Sequence, residues 1–205
     1  MNGSFHSFDR RQLGLLRVAV VSPELRVADV EFNVQMMVQA LHELSAQQVQ
    51  LAVFPELSIT GYTCADLFYQ ESLLRQAQQA LQTLAAATQS TQITTVVGLP
   101  FALDGRIFNA AAFLHNGRIL GLLPKSYLPS SMEYYEQRWF APAALATSRT
   151  VSIEGQEVPF GVDLLFDATD LPGCVIGVEI CEDLWAVEPP SGKQALAGEP
   201  LLLKP

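Results

Sequence analysis

Three residues that are suited to amide hydrolysis each come directly after a short apolar run of the sequence. Glu56 follows LAVFP, Lys125 follows RILGLLP, and Cys181 follows VIGVEI. Runs of this length and composition predict buried strands. Because sites in open α/β sheets collect at the carboxyl ends of strands, we predict that these three side chains converge on one cleft.

A cysteine thiol is a weak nucleophile near neutral pH unless a base or a positive charge assists its ionisation. Histidine is the usual base, but none of the three histidines follows a predicted strand into the cleft, so a Cys–His pair is disfavoured. A glutamate can instead take the thiol proton and return it to the leaving ammonia. A lysine can stabilise the tetrahedral oxyanion, an effect worth roughly 3 kcal/mol per good donor. Glu56, Lys125 and Cys181 together are therefore sufficient for attack on a carboxamide.

Each of these residues also has an ordinary structural explanation. A cysteine with apolar neighbours is usually a small core residue, and Glu56 alone could be a loop carboxylate or a helix-start acid. Lys125 could be a solvated charge, and Glu182 and Asp183 could cap the next turn. The hydrolytic interpretation therefore depends on the three residues together.

Composition narrows the class of protein. The chain has 205 residues, of which 49% are hydrophobic and 16% charged, so it can bury the core of one domain. A formal net charge of −9, without a basic run, disfavours binding to nucleic acid or anionic membrane. No apolar run is long enough for a membrane span, and residues 1–11 lack the apolar stretch of a secretory signal.

Cysteine usage favours a reducing compartment. Cys64, Cys174 and Cys181 form no C-x-x-C pair and no spacing typical of zinc ligands. An odd number of cysteines without a signal sequence is typical of the cytoplasm. We therefore expect a cytoplasmic protein without a bound metal, in which at least one thiol is available for chemistry.

Strands alternate with helices in the first half of the chain. Apolar patterning predicts strands over residues 16–22, 51–55 and 93–99. One helix is expected to start after Asp29 as its N-cap, and a second over about residues 71–87. This order predicts parallel strand pairing, with the helices packed against the sheet.

Antiparallel strands are predicted in the second half. Residues 108–115 and 118–123 flank Asn116-Gly117, a strong hairpin turn signal. A second hairpin is expected around Glu154-Gly155-Gln156, and residues 175–181 read as a further buried strand. The predicted fold class is therefore α/β with antiparallel additions.

Three segments resemble the catalytic boxes of the nitrilase, or carbon–nitrogen hydrolase, superfamily. They are FPELSITGY at 54–62, PKSYLP at 124–129 and VEICEDLW at 178–185. The chain is most similar to the glutaminase domains of bacterial glutamine-dependent NAD synthetases, as judged from FHSF at 5–8, RVA at 17–19, DLLF at 163–166 and DLPG at 170–173. The resemblance spans about residues 5–198, and three boxes in order are far more specific than one.

The resemblance implies the α-β-β-α sandwich of nitrilases and a catalytic role for each box. Glu56 would be the general base, Lys125 the oxyanion stabiliser, and Cys181 the nucleophile that forms a γ-glutamyl thioester. Family members commonly carry a second glutamate in the loop after the lysine, and Glu133 is the matching residue. Glutamine would be the substrate, and its hydrolysis would release ammonia without a cofactor.

The resemblance also implies substrate contacts. Tyr62, Tyr134 and Glu182 would help to line the glutamine pocket. Ser131 stands where the family usually has an aromatic residue in contact with glutamine, so the shape of this pocket is expected to differ.

The resemblance further implies that the chain is a part of a longer enzyme. We expect residues 1–198 to form a glutaminase domain that is incomplete at its C-terminus, and residues 199–205 to form a divergent tail. The synthetase domain, which in complete family members uses ATP to amidate deamido-NAD, and its ATP-binding loop are absent from these residues. The complete enzyme is expected to be a homo-oligomer.

Two other functions stay open. The boxes alone also allow a nitrilase-type amidase or carbamoylase that acts on another amide, although the flanking segments fit it less well. The third possibility is a non-catalytic truncated remnant, because the loss of terminal strands would expose a sheet edge and an apolar face.

Overall fold

The computed structural model of the chain describes residues 13–198 and 201–205. Its strands are β1 (Val18–Val20), β2 (Leu51–Val53), β3 (Thr94–Leu103), β4 (Arg106–His115), β5 (Arg118–Pro124), β6 (Thr150–Ile153), β7 (Gln156–Pro159), β8 (Phe166–Asp167), β9 (Val175–Val178) and β10 (Leu201–Leu203). Its helices are α1 (Val30–Ala46), α2 (Glu71–Thr91), α3 (Glu136–Trp139) and α4 (Pro190–Leu196). The segment FHSF at residues 5–8, on which part of the resemblance rests, lies outside the described residues.

The first sheet has five strands in the order β1-β2-β3-β4-β5. β1, β2 and β3 pair in parallel because α1 and α2 provide the crossovers between them, whereas β3, β4 and β5 pair antiparallel. The β4–β5 hairpin turns at Asn116 and Gly117, which both have positive φ, as a type I′ turn requires. The predicted change from parallel to antiparallel pairing is confirmed.

The two long helices form where the apolar spacing predicts them. Asp29 caps α1 by accepting a hydrogen bond from the Phe32 N–H at 3.1 Å, and Met37 and Leu41 are fully buried on its inner face. The second helix runs four residues beyond its predicted end and stops at Thr91. Within residues 13–198 and 201–205, no helix combines the length and apolar character needed to cross a membrane.

Successive residues of β4 face two different layers. Ala110, Ala112 and Leu114 join the core formed with α1 and α2, whereas Ala111 and Phe113 join the core formed with the second sheet. That second sheet has the order β10-β9-β8, and α4 contacts β9. The layers are therefore helix, sheet, sheet and helix, which confirms the predicted α/β class and its α-β-β-α arrangement.

The C-terminal residues differ from the prediction. Leu201–Leu203 form β10, which pairs in parallel with β9, and Leu203 is buried against the second core. Burial of three successive leucines against this apolar interface has a more favourable free energy than their exposure to solvent. The predicted divergent tail is therefore part of the sheet. The predicted strand over 175–181 is also shorter, because β9 ends at Val178.

Gly98 allows the segment after β2 to lie directly on β3. A Cβ atom at this position would stand 2.2 Å from the Leu57 backbone nitrogen and 2.8 Å from Glu56 Cα. The same contact is fixed by hydrogen bonds from the Ile59 N–H to the Gly98 carbonyl at 3.0 Å and from the Gly98 N–H to Ser58 Oγ at 3.3 Å. The position of Glu56 therefore depends on the absence of a side chain at residue 98.

We expect Gly98→Ala to destabilise the fold and to displace Glu56. The clash is with backbone atoms that cannot rotate away, so the free energy of unfolding should fall by at least about 1–3 kcal/mol, as in overpacked cores. Urea denaturation measures this change. The matched control is Gly192→Ala, since a Cβ there meets no atom within 4 Å and the residue lies in α4. Equal stability of the two variants would contradict the close approach.

Candidate active site

The side chains of Glu56, Lys125 and Cys181 meet at one end of the first sheet. Lys125 Nζ lies 2.6 Å from Glu56 Oε1 and 2.7 Å from Glu136 Oε1, and its side chain is completely buried. The Cys181 thiol lies close enough to this group for the charges of Glu56, Lys125 and Glu136 to act on its pKa. The described residues thus bring a thiol, an ammonium and two carboxylates into one cluster.

Lys125 enters the cluster because β5 ends beside β4. Its N–H donates to the Asn109 carbonyl at 2.8 Å, and its own carbonyl accepts from the Ala143 N–H at 2.9 Å. Glu56 comes from the segment after β2, where its side chain is 11% exposed. Asn109 Nδ2 donates to Glu56 Oε1 at 2.6 Å and to Glu136 Oε2 at 3.3 Å.

Cys181 begins the 3-10 helix Cys181–Trp185, directly after the sharp turn that follows β9. Its φ of +44° is unusual for a residue with a side chain, and such backbone strain persists only where surrounding contacts hold it. Asp183 supplies these contacts, since its carboxylate accepts from the Ile180 N–H at 3.1 Å. The turn leaves Cys181 partly accessible, whereas Ile180 is buried.

Asp183 also joins the turn at Cys181 to the loop that follows Lys125. Its Oδ1 accepts hydrogen bonds from the N–H groups of Ser126 at 3.0 Å and Tyr127 at 2.8 Å. One buried carboxylate thereby fixes the residues that follow Lys125 relative to those that surround Cys181.

The electrostatics favour a neutral thiol in the resting site. Burial and then the negative charge of Glu56 raise the pKa of Cys181, and Lys125 only partly opposes them. Burial lowers the pKa of Lys125, but the charges of Glu56 and Glu136 outweigh it and raise that pKa. Lys125 is therefore an ammonium, and the thiol proton must be removed as the sulfur reacts.

The second carboxylate beside Lys125 is Glu136 and not Glu133. Glu136 is 1% exposed and begins α3, whereas Glu133 is exposed in the preceding loop. Burial and the charge of Glu56 raise the pKa of Glu136, although Lys125 and Tyr62 donate to it. The loop folds so that the apolar residues Trp139 and Phe140 pack on Phe68, and this packing selects the glutamate three residues further along.

The four predicted substrate contacts lie at different depths. The Tyr62 hydroxyl donates to Glu136 Oε1 at 2.7 Å, and its ring meets that of Tyr134 edge-on at 6.3 Å. Burial and then its contact with Glu136 raise the pKa of Tyr62, so the hydroxyl stays protonated. Glu182 is half-buried next to the nucleophile, while Ser131 is exposed in the loop before α3.

A cleft of about 950 Å³ lies beside the cluster. Its walls include Ser126 and Glu182, the chain neighbours of Lys125 and Cys181, together with Tyr127, Gln137 and Trp139. Glu56, Lys125 and Cys181 are not among the lining residues, so the cleft adjoins the cluster and does not contain it.

Sequence reasoning did not find Glu136, Asn109 and the linking role of Asp183. The sequence did hold one indication of Glu136: this acidic residue lies three positions before the apolar pair Trp139-Phe140, which anchors its helix. Asn109 carried the signal of an amide within the otherwise apolar run of β4, because a buried amide must have partners. No feature of the sequence around Asp183 predicts its contacts with the loop after Lys125.

Comparison with known proteins identifies relatives over most of the chain. The carbon–nitrogen hydrolase family matches residues 17–191. The glutamine-dependent NAD(+) synthetase of Mycobacterium bovis is 41% identical over 191 residues, which are 93% of this chain and 28% of that protein. The corresponding protein of Mycobacterium leprae is 38% identical, over 92% of this chain and 28% of its own length. The chain therefore spans less than a third of the curated relatives it matches.

Solved structures show the same fold. A glutamine-dependent NAD(+) synthetase from Cytophaga hutchinsonii matches with a TM-score of 0.76 and 29% identity, over 93% of this chain and 30% of that one. An amidase from Nesterenkonia matches with a TM-score of 0.72 and 21% identity, over 93% of this chain and 64% of that one. The amidase supports the fold alone, whereas the sequence relatives also confirm the family resemblance.

We expect Asp183 to stabilise the protein less as the pH rises. Burial raises the pKa of Asp183 from 3.8 to about 6, so the folded state holds this proton more tightly than the unfolded state does. Stability from this group is complete below its unfolded pKa and is lost as the pH rises through about 6. From about pH 4 to about pH 7.5, the unfolding free energy of wild type should therefore fall by roughly 2 kcal/mol relative to that of Asp183→Asn.

The control for this titration is Asp104→Asn. Hydrogen bonds from Ser148 and Thr147 hold the pKa of Asp104 well below its usual range, so its contribution has the opposite sign and is lost only as the pH falls. Urea denaturation of both variants at the two pH values separates the effects. A wild-type advantage over Asp183→Asn that grows with pH would show that burial does not dominate this carboxyl.

Proposed function

The chain belongs to the carbon–nitrogen hydrolase family, and from this membership we propose that it hydrolyses the side-chain amide of glutamine. The observation that carries the proposal is the Lys125 ammonium held between Glu56 and Glu136 beside the Cys181 thiol. The names of the sequence relatives, which are glutamine-dependent NAD(+) synthetases, support glutamine as the amide. In this proposal, the chain is the ammonia-releasing part of such an enzyme.

Acylation begins with the sulfur of Cys181 and the carboxamide carbon. As the S–C bond forms, Glu56 takes the thiol proton, because its carboxylate is the negative charge that acts most strongly on the thiol. Lys125 has three N–H donors, of which Glu56 and Glu136 accept two. The third is available to the oxyanion that develops on the amide oxygen.

Collapse of this tetrahedral species breaks the C–N bond. Glu56 returns its proton to the departing nitrogen, which leaves as ammonia, and the γ-glutamyl group remains on Cys181 as a thioester. Water then attacks the thioester carbon while Glu56 accepts a proton from it. The C–S bond then breaks, Glu56 gives the proton to the departing sulfur, and glutamate is released, so the net reaction consumes one glutamine and one water.

Tyr62, Tyr134 and Glu182 are proposed to line the glutamine pocket. Glu182 is half-buried beside Cys181, where a carboxylate can pair with the α-ammonium of an amino acid. Tyr62 is proposed to act through Glu136, since its hydroxyl donates to that carboxylate. Ser131 is exposed and presents no ring to the substrate, which distinguishes this pocket from the family pattern.

The larger context is also a proposal. The glutaminase reaction is proposed to need no cofactor, and the ammonia would pass to a synthetase domain that uses ATP to amidate deamido-NAD. The glutaminase domain is proposed to extend through β10, and the complete enzyme to assemble from several copies. Its location in the cytoplasm stays a prediction from the sequence.

We expect the purified chain to release glutamate and ammonia from glutamine in equal amounts. Cys181→Ala should lower this rate by more than about a thousandfold, because the variant lacks the nucleophile and retains only binding. Glu56→Gln, which keeps the shape but cannot accept a proton, should lower kcat by about a hundredfold or more. Coupled assays for both products measure these changes.

The matched control is Cys174→Ala, because Cys174 is also partly exposed and lies just before β9. It should retain activity within about twofold, since its thiol is outside the cluster. Glutamate release that survives Cys181→Ala would contradict the mechanism. Preferred hydrolysis of an aliphatic or carbamoyl amide would favour the amidase alternative, and no hydrolysis by a folded chain would favour a non-catalytic remnant.

A further inference from the structure

We propose that Asn109 is a positioning residue that gives the two oxygens of Glu56 different tasks. In this arrangement Glu56 Oε1 is held by Lys125 and Asn109, and Glu56 Oε2 receives the proton of Cys181. The inference rests on the proposed function, since it concerns the base of that reaction. It assigns a role to a residue outside the three sequence boxes.

The distances account for both lone pairs of Glu56 Oε1. Lys125 Nζ donates to it at 2.6 Å, and Asn109 Nδ2 donates to it at the same distance. A carboxylate oxygen has two lone-pair sites, so Oε1 has no further strong acceptor direction. Transfer of the Cys181 proton to this carboxylate is therefore left to Oε2.

The backbone holds Asn109 in this position. The residue is 1% exposed, and its carbonyl accepts the Lys125 N–H at 2.8 Å, which ties β4 to the lysine. Its second amide hydrogen reaches Glu136 Oε2 at 3.3 Å. The opposite amide orientation would place an oxygen between two carboxylates, so the nitrogen must face the cluster.

This orientation leaves the amide oxygen, Asn109 Oδ1, in an unfavourable environment. Asn109 Oδ1 is buried and accepts no hydrogen bond from the described residues. A buried acceptor without a partner is unfavourable, by about 1–3 kcal/mol. The fold tolerates this loss because the amide nitrogen satisfies two carboxylates that share a single ammonium.

A neutral donor suits this position better than a second cation. Two carboxylates and one ammonium leave the cluster with an excess of negative charge, which must remain for Glu56 to act as a base. An amide stabilises the ionised form through its dipole without adding charge. It also stops the carboxylate from rotating away from the thiol, which preserves the geometry of proton transfer.

The test uses Asn109→Leu, which keeps the approximate volume and removes the donor. For glutamine hydrolysis, kcat should fall by about ten- to a hundredfold while KM stays within about twofold, because base geometry and not substrate binding is lost. Asn109→Asp has the same shape and can donate only when protonated. Its activity relative to wild type should therefore recover as the pH falls, which a purely structural role would not produce.

The control is Thr88→Val, which removes a buried hydroxyl that donates to the Ala85 carbonyl at 2.7 Å and accepts from the Gly117 N–H at 3.1 Å. It should lower stability and leave kcat within about twofold. An equal loss of kcat in Thr88→Val, or a folded Asn109→Leu with the kcat of wild type, would overturn the proposal. If circular dichroism shows that Asn109→Leu is unfolded, the pH series of Asn109→Asp decides, and a constant ratio to wild type overturns it.

A second readout needs no glutamine. The rate at which iodoacetamide alkylates Cys181, followed by peptide mass spectrometry, reports the assisted loss of the thiol proton. It should fall about tenfold in Asn109→Leu near neutral pH and stay unchanged in Thr88→Val. If wild type fails to hydrolyse glutamine but shows this dependence, the proposed function fails and the role of Asn109 stands. If alkylation does not depend on Asn109, the role of Asn109 fails.

Discussion

The buried ammonium of Lys125 is the constraint on which the rest of the site depends. A completely buried charge is tolerated only when it is paired and hydrogen-bonded, and here Glu56 and Glu136 lie within 2.7 Å of it. Removing either carboxylate would leave one N–H of the buried ammonium without its acceptor. The fold must therefore bring three separate segments to the end of β5, and the same convergence places a base beside the Cys181 thiol.

Few contacts maintain this convergence. Gly98 lets the segment that carries Glu56 lie on β3, Asn109 joins Glu56 to Glu136, and Asp183 ties the cysteine turn to the loop after the lysine. Each acts on a different segment, so each limits a different motion of the cluster. Because Cys181 itself has a strained backbone, the turn has to be held from outside, which explains a buried carboxylate two residues away.

Much of the architecture could be predicted because its signals are local. The cap at Asp29 and the turn at Asn116-Gly117 are set by neighbouring residues, and the three boxes place Glu56, Lys125 and Cys181 at the ends of apolar runs. What failed depends on contacts between distant segments. Glu136 rather than Glu133 lies beside Lys125 because Trp139 and Phe140 pack on Phe68. Leu201–Leu203 form a strand because they pair with β9. No local pattern encodes either partner.

The central claim is that Cys181 forms a covalent bond to the carbonyl carbon of glutamine. Acid quenching of the chain during turnover, followed by peptide mass spectrometry, measures it directly because a thioester survives in acid. The account predicts that the peptide with Cys181 gains the mass of one γ-glutamyl group, that the gain disappears when glutamine is exhausted, and that the peptides with Cys64 and Cys174 stay unmodified. Glutamate release without this adduct under rapid quenching, or an adduct on Cys174, would contradict it.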